Sequence, residues 1–214
     1  DGTLTLPGHI DFAAMRRRIG IPPGTDILAQ IRELPEDQQA AAVAIVEEEE
    51  MAALQKLELQ PGLHELVAAL RARRVRCAIA TRNMAAAVDF FFTSSGLERE
   101  LFAPVLTRDF AHNKPDARVA LAIVRAWRLP PAAVAFVGDH VDDMACGRGA
   151  GCVTCLVRCE ENDAFYAEDG GALVDHAIAA LSELPALLRL PRGGGGGAAA
   201  EAAAAAEEPA TAAM

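Results

Sequence analysis

The chain has 214 residues, 52% of them hydrophobic, and a formal net charge of −10. That is enough apolar material for a buried core, although alanine supplies much of it and buries little area per side chain. The acidic balance excludes a general nucleic-acid-binding surface, which needs a basic face, and no apolar run approaches the roughly 18–20 residues that cross a bilayer.

In chain order, residues 8–59 read as helical. The stretch 11–19 places Phe12, Met15 and Ile19 at helical spacing and stops at Gly20-Ile21-Pro22-Pro23. Thr25 or Asp26 caps a second helix running to Leu34. Pro35 is placed as the first residue of a third, long helix that ends near Leu57 and carries Val43, Val46, Met51, Leu54 and Leu57 as an apolar stripe. The acidic run 47–50 in that helix points in four directions, so it reads as a solvated stretch and not as a metal site.

After Pro61-Gly62 the pattern changes to short apolar strands alternating with helices. Helices are predicted over 63–73, 84–94, 116–127, 142–149 and 177–188, and strands over 75–80, 104–106, 133–137 and 153–157. Val88, Phe91, Phe92 and Trp127 are core candidates. This alternation predicts an α/β fold, a Rossmann-like parallel sheet flanked by helices, with any ligand at the carboxyl ends of the strands. Thr81 and Asp139 both follow predicted strands and therefore fall on one edge. From residue 191 the composition becomes glycine, then alanine with scattered glutamate, and 191–214 read as a disordered tail.

The five cysteines, Cys77, Cys146, Cys152, Cys155 and Cys159, are an odd number and read as reduced thiols. The expected compartment is the cytoplasm or a reducing organelle. Along a strand, positions three apart point to opposite faces, so Cys152 and Cys155 read as buried thiols and not as a zinc pair.

Four segments carry a more specific pattern. They are Asp1-Gly2-Thr3-Leu4-Thr5; Thr81 after Cys77-Ala78-Ile79-Ala80; Lys114 in His112-Asn113-Lys114-Pro115; and Gly138-Asp139-His140-Val141-Asp142-Asp143 after Val134-Ala135-Phe136-Val137. In this order the set resembles the four motifs of the haloacid dehalogenase superfamily, over residues 1–190. The resemblance extends to the phosphoglycolate-phosphatase-like branch, with a small helical cap at 8–59 inserted into a core of 1–7 and 60–190.

That resemblance implies a magnesium-dependent phosphatase acting on a small phosphorylated metabolite through an aspartyl-phosphate, with neither nucleic acid nor membrane as partner. By the family pattern the nucleophile is an Asp two residues before Asp1, at the end of a strand central in the sheet. The expectation is then that this chain is part of a longer gene product, and that, made as written, it folds poorly and turns over no phosphate ester. Asp1 matches the general acid, and its backbone carbonyl is a magnesium ligand. Gly2 and Thr3 form a turn whose N–H groups face a phosphate. Thr81 matches the hydroxyl donor to a phosphoryl oxygen. Arg82 and Asn83 follow it as further phosphate contacts, with a surface residue and a helix cap as the plainer readings. Lys114 matches the ammonium that neutralises charge on the nucleophile and the transferred group.

Asp139 and Asp143 match the metal-binding acids, the Gly-Asp-x-x-x-Asp spacing favouring Asp143 over Asp142, and an oxygen-only set of this kind suits magnesium. His140 is placed at the rim. His9, Arg16, Arg17 and Arg18 are candidate substrate contacts from the cap. Two alternatives use the same residues: a non-catalytic phosphate-binding or scaffold protein, and a phosphomutase.

Overall fold

The computed structural model describes residues 2–7, 10–168, 170–188 and 211–213. Three helices come first: α1 (Phe12–Ile19), α2 (Ile27–Glu33) and α3 (Glu36–Leu54). The α/β part follows as α4 (Leu63–Ala72), β1 (Cys77–Ala80), α5 (Ala85–Ser95), β2 (Phe102–Leu106), α6 (Arg118–Trp127), β3 (Val134–Gly138), α7 (Val141–Ala150) and β4 (Val153–Val157). It closes with the short α8 (Asp163–Glu168) and α9 (Gly170–Leu173), β5 (His176–Ile178), α10 (Leu184–Leu187) and β6 (Thr211–Ala213).

The six strands form one parallel sheet in the order β2-β1-β6-β3-β4-β5. Its two faces are built by the alternation of side chains along each strand. Cys77 and Ile79 of β1 and Ala135 and Val137 of β3 pack on one side with α4, α5 and Leu184 of α10. Ala78 and Ala80, with Val134 and Phe136, pack on the other side with α6 and α7. Small side chains on β1 let α6 approach closely, and Val119, Ile123 and Trp127 fill that face. Trp127 is held as well by its indole N–H, which donates to the Ala103 carbonyl at 2.6 Å.

Helices α1–α3 have an apolar core of their own, made of Met15, Ile21, Ile27, Ile31, Ala42 and Val46. Asp11 and Asp26 cap α1 and α2 by accepting the Ala14 and Ala29 N–H groups at 2.8 Å, each satisfying a donor that the first turn leaves open. The segments entering and leaving this unit run side by side. Thr5 bridges Leu59, Leu6 N–H donates to Glu58, and Gln60 N–H donates to Leu4.

Several expectations need correction. Residues 177–188 are not a helix but β5, a 3-10 turn over Leu181–Glu183 and α10. Pro35 stands at the cap position before α3 and not inside it. Helix α6 begins at Arg118. Of the predicted α3 stripe, Val46 and Leu54 are buried while Val43 and Met51 are exposed and Leu57 lies beyond the helix end at Leu54; the inward face is completed by Ala42 and Ala53. The expected disordered tail does not hold for Thr211–Ala213. These residues form β6 between β1 and β3, the slot expected to lack a strand, while 189–210 and 214 lie outside the described residues. The physical reason is that central strands present backbone N–H and C=O groups on both sides, and leaving them unpaired is costly.

Candidate active site

The carboxyl ends of β1 and β3 bring the predicted residues together. Thr81 directly follows β1, and Asp139 directly follows Gly138, the last residue of β3. Thr3 arrives from the N-terminal segment, and its hydroxyl donates to Asp139 Oδ1 at 2.6 Å. Lys114, from the loop between β2 and α6, donates to Asp143 Oδ1 at 2.5 Å. Thr3, Thr81, Asn83 and Lys114 line one cavity. Four segments far apart in sequence thus converge on one sheet edge.

Two glycines make this approach possible. Gly2 has φ +74°, and a Cβ there would lie 1.9 Å from Asp139 Oδ2. Gly138 is equally tight, since a Cβ would lie 2.3 Å from Asp143 Cβ. Any side chain at either position displaces a carboxylate, so both glycines are required by close approach, and Gly2 also by its backbone.

The two acids are held differently. Asp143 is buried and accepts from Lys114 on one oxygen and from the His140 N–H on the other, at 3.1 Å. Both oxygens therefore already have protein partners. Asp139 has one hydrogen bond to its carboxylate among the described residues, that from Thr3. Burial pushes its carboxyl up from the usual range, with Thr3 pulling the other way. A desolvated carboxylate with acceptor capacity left over fits a hard cation, which would supply the missing positive charge. No three His, Cys, Asp or Glu side chains cluster as a metal site among the described residues, and Asp1, the remaining predicted ligand, lies outside them. Among the described residues the donor set is thus one carboxylate, Asp139, whose second oxygen accepts no hydrogen bond, in accord with a metal that keeps several waters.

The flanking residues fall into place around this centre. Thr81 Oγ1 accepts the Asn83 N–H at 3.1 Å, leaving its own O–H free to donate outward. Arg82 turns to acidic partners, with Nη1 2.9 Å from Asp142 and 3.5 Å from Asp26 of the helical unit. His140 caps α7 by accepting the Asp142 N–H on Nδ1. Asp142 raises the pKa of His140, and His140 lowers that of Asp142. His140 is largely exposed, as expected of a rim residue. In the helical unit, Arg16 donates to the Thr25 carbonyl and Arg18 pairs with Glu48 and Glu49, which ties both to structure; His9 lies outside the described residues. Glu50 departs from the solvated reading of its acidic run, since it is largely shielded and pairs with Arg108.

Sequence reasoning missed two supports. The Asn162 side-chain amide, buried in the turn after β4, donates to the carbonyls of Asp139 and Val157, each at 2.8 Å. Gln60 Nε2 donates to the Gly2 carbonyl at 2.8 Å. Nothing in the local sequence marks either residue, because each acts across a long chain separation. The cysteines carry no site: Cys77, Cys146, Cys152 and Cys155 are buried, and burial pushes their thiols up to about 11, or about 12 for Cys155.

Comparison with known proteins agrees with this geometry. Residues 7–157 match the family model of haloacid dehalogenase-like hydrolases. The chain is 34% identical over 203 residues to a haloacid dehalogenase-like hydrolase domain-containing protein of Arabidopsis thaliana, covering 88% of this chain and 80% of that one. It is 32% identical over 126 residues to a phosphoglycolate phosphatase of Synechococcus elongatus, covering 59% of this chain and 58% of the relative. Among solved structures, a hydrolase from Pseudomonas syringae superposes with a TM-score of 0.70 at 20% identity, covering 89% of this chain and 95% of that one.

Proposed function

This chain belongs to the haloacid dehalogenase-like hydrolase family, and we propose that within it the protein is a phosphatase acting on a small phosphorylated metabolite. The observation that carries this reading is the convergence of Thr3, Thr81 and Lys114 on one cavity beside Asp139. The Thr81 hydroxyl and the Lys114 ammonium at one sheet edge supply donors for a phosphoryl group, with Thr3 holding Asp139 beside them. The similarity to a phosphoglycolate phosphatase supports the same class.

In this reading the nucleophile is a carboxylate two residues ahead of Asp1. It attacks phosphorus, forming an aspartyl-phosphate as the bond to the leaving oxygen breaks. Asp1, as the acid, delivers a proton to that oxygen and then takes one from the water that attacks the intermediate, so that inorganic phosphate leaves, the nucleophile is again a carboxylate and Asp1 is again protonated. Thr81 donates to a phosphoryl oxygen. Lys114, fixed by Asp143, neutralises charge that builds on the phosphoryl group. Magnesium bound by Asp139 and the Asp1 carbonyl would supply a further positive charge there. Asn162 holds the Asp139 backbone carbonyl, and Gly2 leaves the room that its carboxylate occupies. The α1–α3 unit serves as a cap that limits access of water.

The test is phosphate release from a panel of small phosphomonoesters by a polypeptide that includes the upstream residues, with and without magnesium. Asp139→Asn is expected to lower kcat/KM by about 100-fold or more and to weaken the magnesium dependence, since losses on this order follow even from damage to a ligand's supports. Full activity of the variant, with the same magnesium dependence, would overturn the assignment. Conversion of a sugar phosphate to its isomer without phosphate release would identify the phosphomutase instead.

A further inference from the structure

The amino-terminal edge of the sheet, opposite the edge that carries Thr81 and Asp139, is basic on a chain that is acidic as a whole. Helices α4 and α6 both end there, and the loops that follow them lead into β1 and β3. The first loop carries Arg74 and Arg76; the second carries Arg128, with Arg125 in the last turn of α6. All four arginines are exposed. Arg76 Nη1 donates to the Trp127 carbonyl, which ties the two loops together and sets Arg76 near Arg128. Because β1 and β3 flank the slot of β6, the patch spans about two strand spacings, roughly 10 Å.

These side chains are not spent on the chain itself. Arg74, Arg125 and Arg128 make no side-chain hydrogen bond or ion pair with any described residue, and Arg76 meets only a carbonyl. Arg71 differs, since Glu98 takes it. Helix ends explain part of the pattern, because the dipole favours a cation in the last turn, where Arg125 stands. They do not explain Arg74 and Arg128. With φ of +54° and +57°, these two are the only non-glycine residues at positive φ among the described residues. Glycine takes that conformation freely, while a residue with a Cβ resists it. Arginines held there on two neighbouring loops, without a partner in the chain, point to a ligand outside it.

We infer that this edge docks a short acidic segment of a partner protein, whose Asp or Glu side chains pair with Arg74, Arg76, Arg125 and Arg128. A guanidinium offers paired N–H donors that match a carboxylate. The size of the patch selects a short segment. Alternate side chains of an extended peptide lie about 7 Å apart, so two or three carboxylates of one face fit across it. A nucleic-acid strand or an anionic membrane extends past the patch and meets the rest of the chain, which is more acidic than the net charge of −10. The length of β3, roughly 15 Å, separates the patch from Asp139, so docking leaves the active site open.

Fluorescence anisotropy of labelled hexaglutamate, with hexaglutamine as the neutral control, tests this on the polypeptide that includes the upstream residues. Hexaglutamate is expected to bind about ten-fold tighter than hexaglutamine at low salt, the gain of one charge-assisted contact, and the difference should shrink as salt rises. The double variant Arg74→Asn, Arg128→Asn should reduce that ratio to less than about two-fold. Asparagine tolerates positive φ, so this variant should keep the wild-type melting temperature, and phosphate release should not change. Arg125→Gln leaves both loops intact and should weaken hexaglutamate by about three-fold, the worth of an exposed ion pair. Equal affinity for the two peptides, or a ratio that survives these substitutions, overturns the docking site. Tighter binding of an oligonucleotide of equal charge, or of phosphatidylserine vesicles, overturns the peptide and assigns the patch to a nucleic acid or a membrane. A ratio that appears only in Glu207→Gln, Glu208→Gln overturns the partner and assigns the patch to the chain's own acidic pair.

Discussion

The α/β core and the three-helix unit solve the same problem with different means. The core buries large side chains completely, among them Phe136, Leu70, Ile123 and Met144, on both faces of a six-stranded sheet. The helical unit has a small core of Met15, Ile21, Ile27, Ile31, Ala42 and Val46, and it faces the sheet partly through ion pairs, Glu50 with Arg108 and Asp26 with Arg82. The core therefore fixes atoms to within the tolerance of close packing. The unit is tied to it by those ion pairs, by packing of α3 against α5 and by two antiparallel connecting segments.

The largest expected effect belongs to the core. Phe136→Ala removes a ring packed between β3, α6 and α7 and should cost about 3–5 kcal/mol. Denaturant unfolding measures it, and because β3 also carries Asp139, activity should fall with the folded fraction. A loss under 1 kcal/mol would mean that this face of the sheet is not the tight core described.

A smaller effect is expected at the junction. Arg108→Ala strands Glu50, which reaches from α3 to the core and is largely shielded there, and should cost on the order of 2 kcal/mol. The cost should depend on pH. Burial already raises the Glu50 carboxyl from its ordinary 4.5, with Arg108 opposing the rise. A raised carboxyl contributes stability that is present below the unfolded pKa and is lost as pH rises through the folded one. Removing Arg108 raises it further, so the deficit of the variant should grow as pH rises above the ordinary carboxylate range. Thermal unfolding at several pH values reads this out, and a deficit that shrinks with rising pH would contradict the burial of Glu50 against Arg108.

The smallest effect is on the surface. Hydrogen bonds from Arg118 lower the Asp116 carboxyl from 3.8 to about 2. A depressed carboxyl contributes stability present above the unfolded value and lost as pH falls through the folded one, so the pair's small contribution holds at neutral pH and disappears only in strong acid. An NMR titration should place the Asp116 midpoint near 2 and return it toward 3.8 in Arg118→Ala. Because the carboxylate is exposed and screened, global stability at neutral pH should hardly change.

Much of the site was legible because its residues sit at points that local signals mark. Thr81 and Asp139 come immediately after apolar runs that become β1 and β3, and Lys114 precedes a proline in a loop with no competing lysine nearby. What local signals do not carry is partner choice. Asp142 and Asp143 are adjacent and chemically alike, yet one faces Arg82 and the other Lys114, because successive residues of a helix point about 100° apart. Asn162 and Gln60 support the site through contacts that no periodicity encodes.

By itself, then, the sequence determined the alternation of strands and helices, the parallel sheet and the edge on which the chemistry sits, since apolar period and chain punctuation act over a few residues. Only the tertiary structure decided that Thr211–Ala213 occupies the slot between β1 and β3, that Asp143 and not Asp139 is spent on Lys114, and that Asn162 holds the Asp139 carbonyl. Alanine has little strand preference of its own, and Thr211–Ala213 is a strand only because two neighbours offer unpaired backbone groups. Such outcomes depend on which distant groups reach one another once the chain has packed, and that is settled by burial and hydrogen-bond satisfaction over the whole molecule.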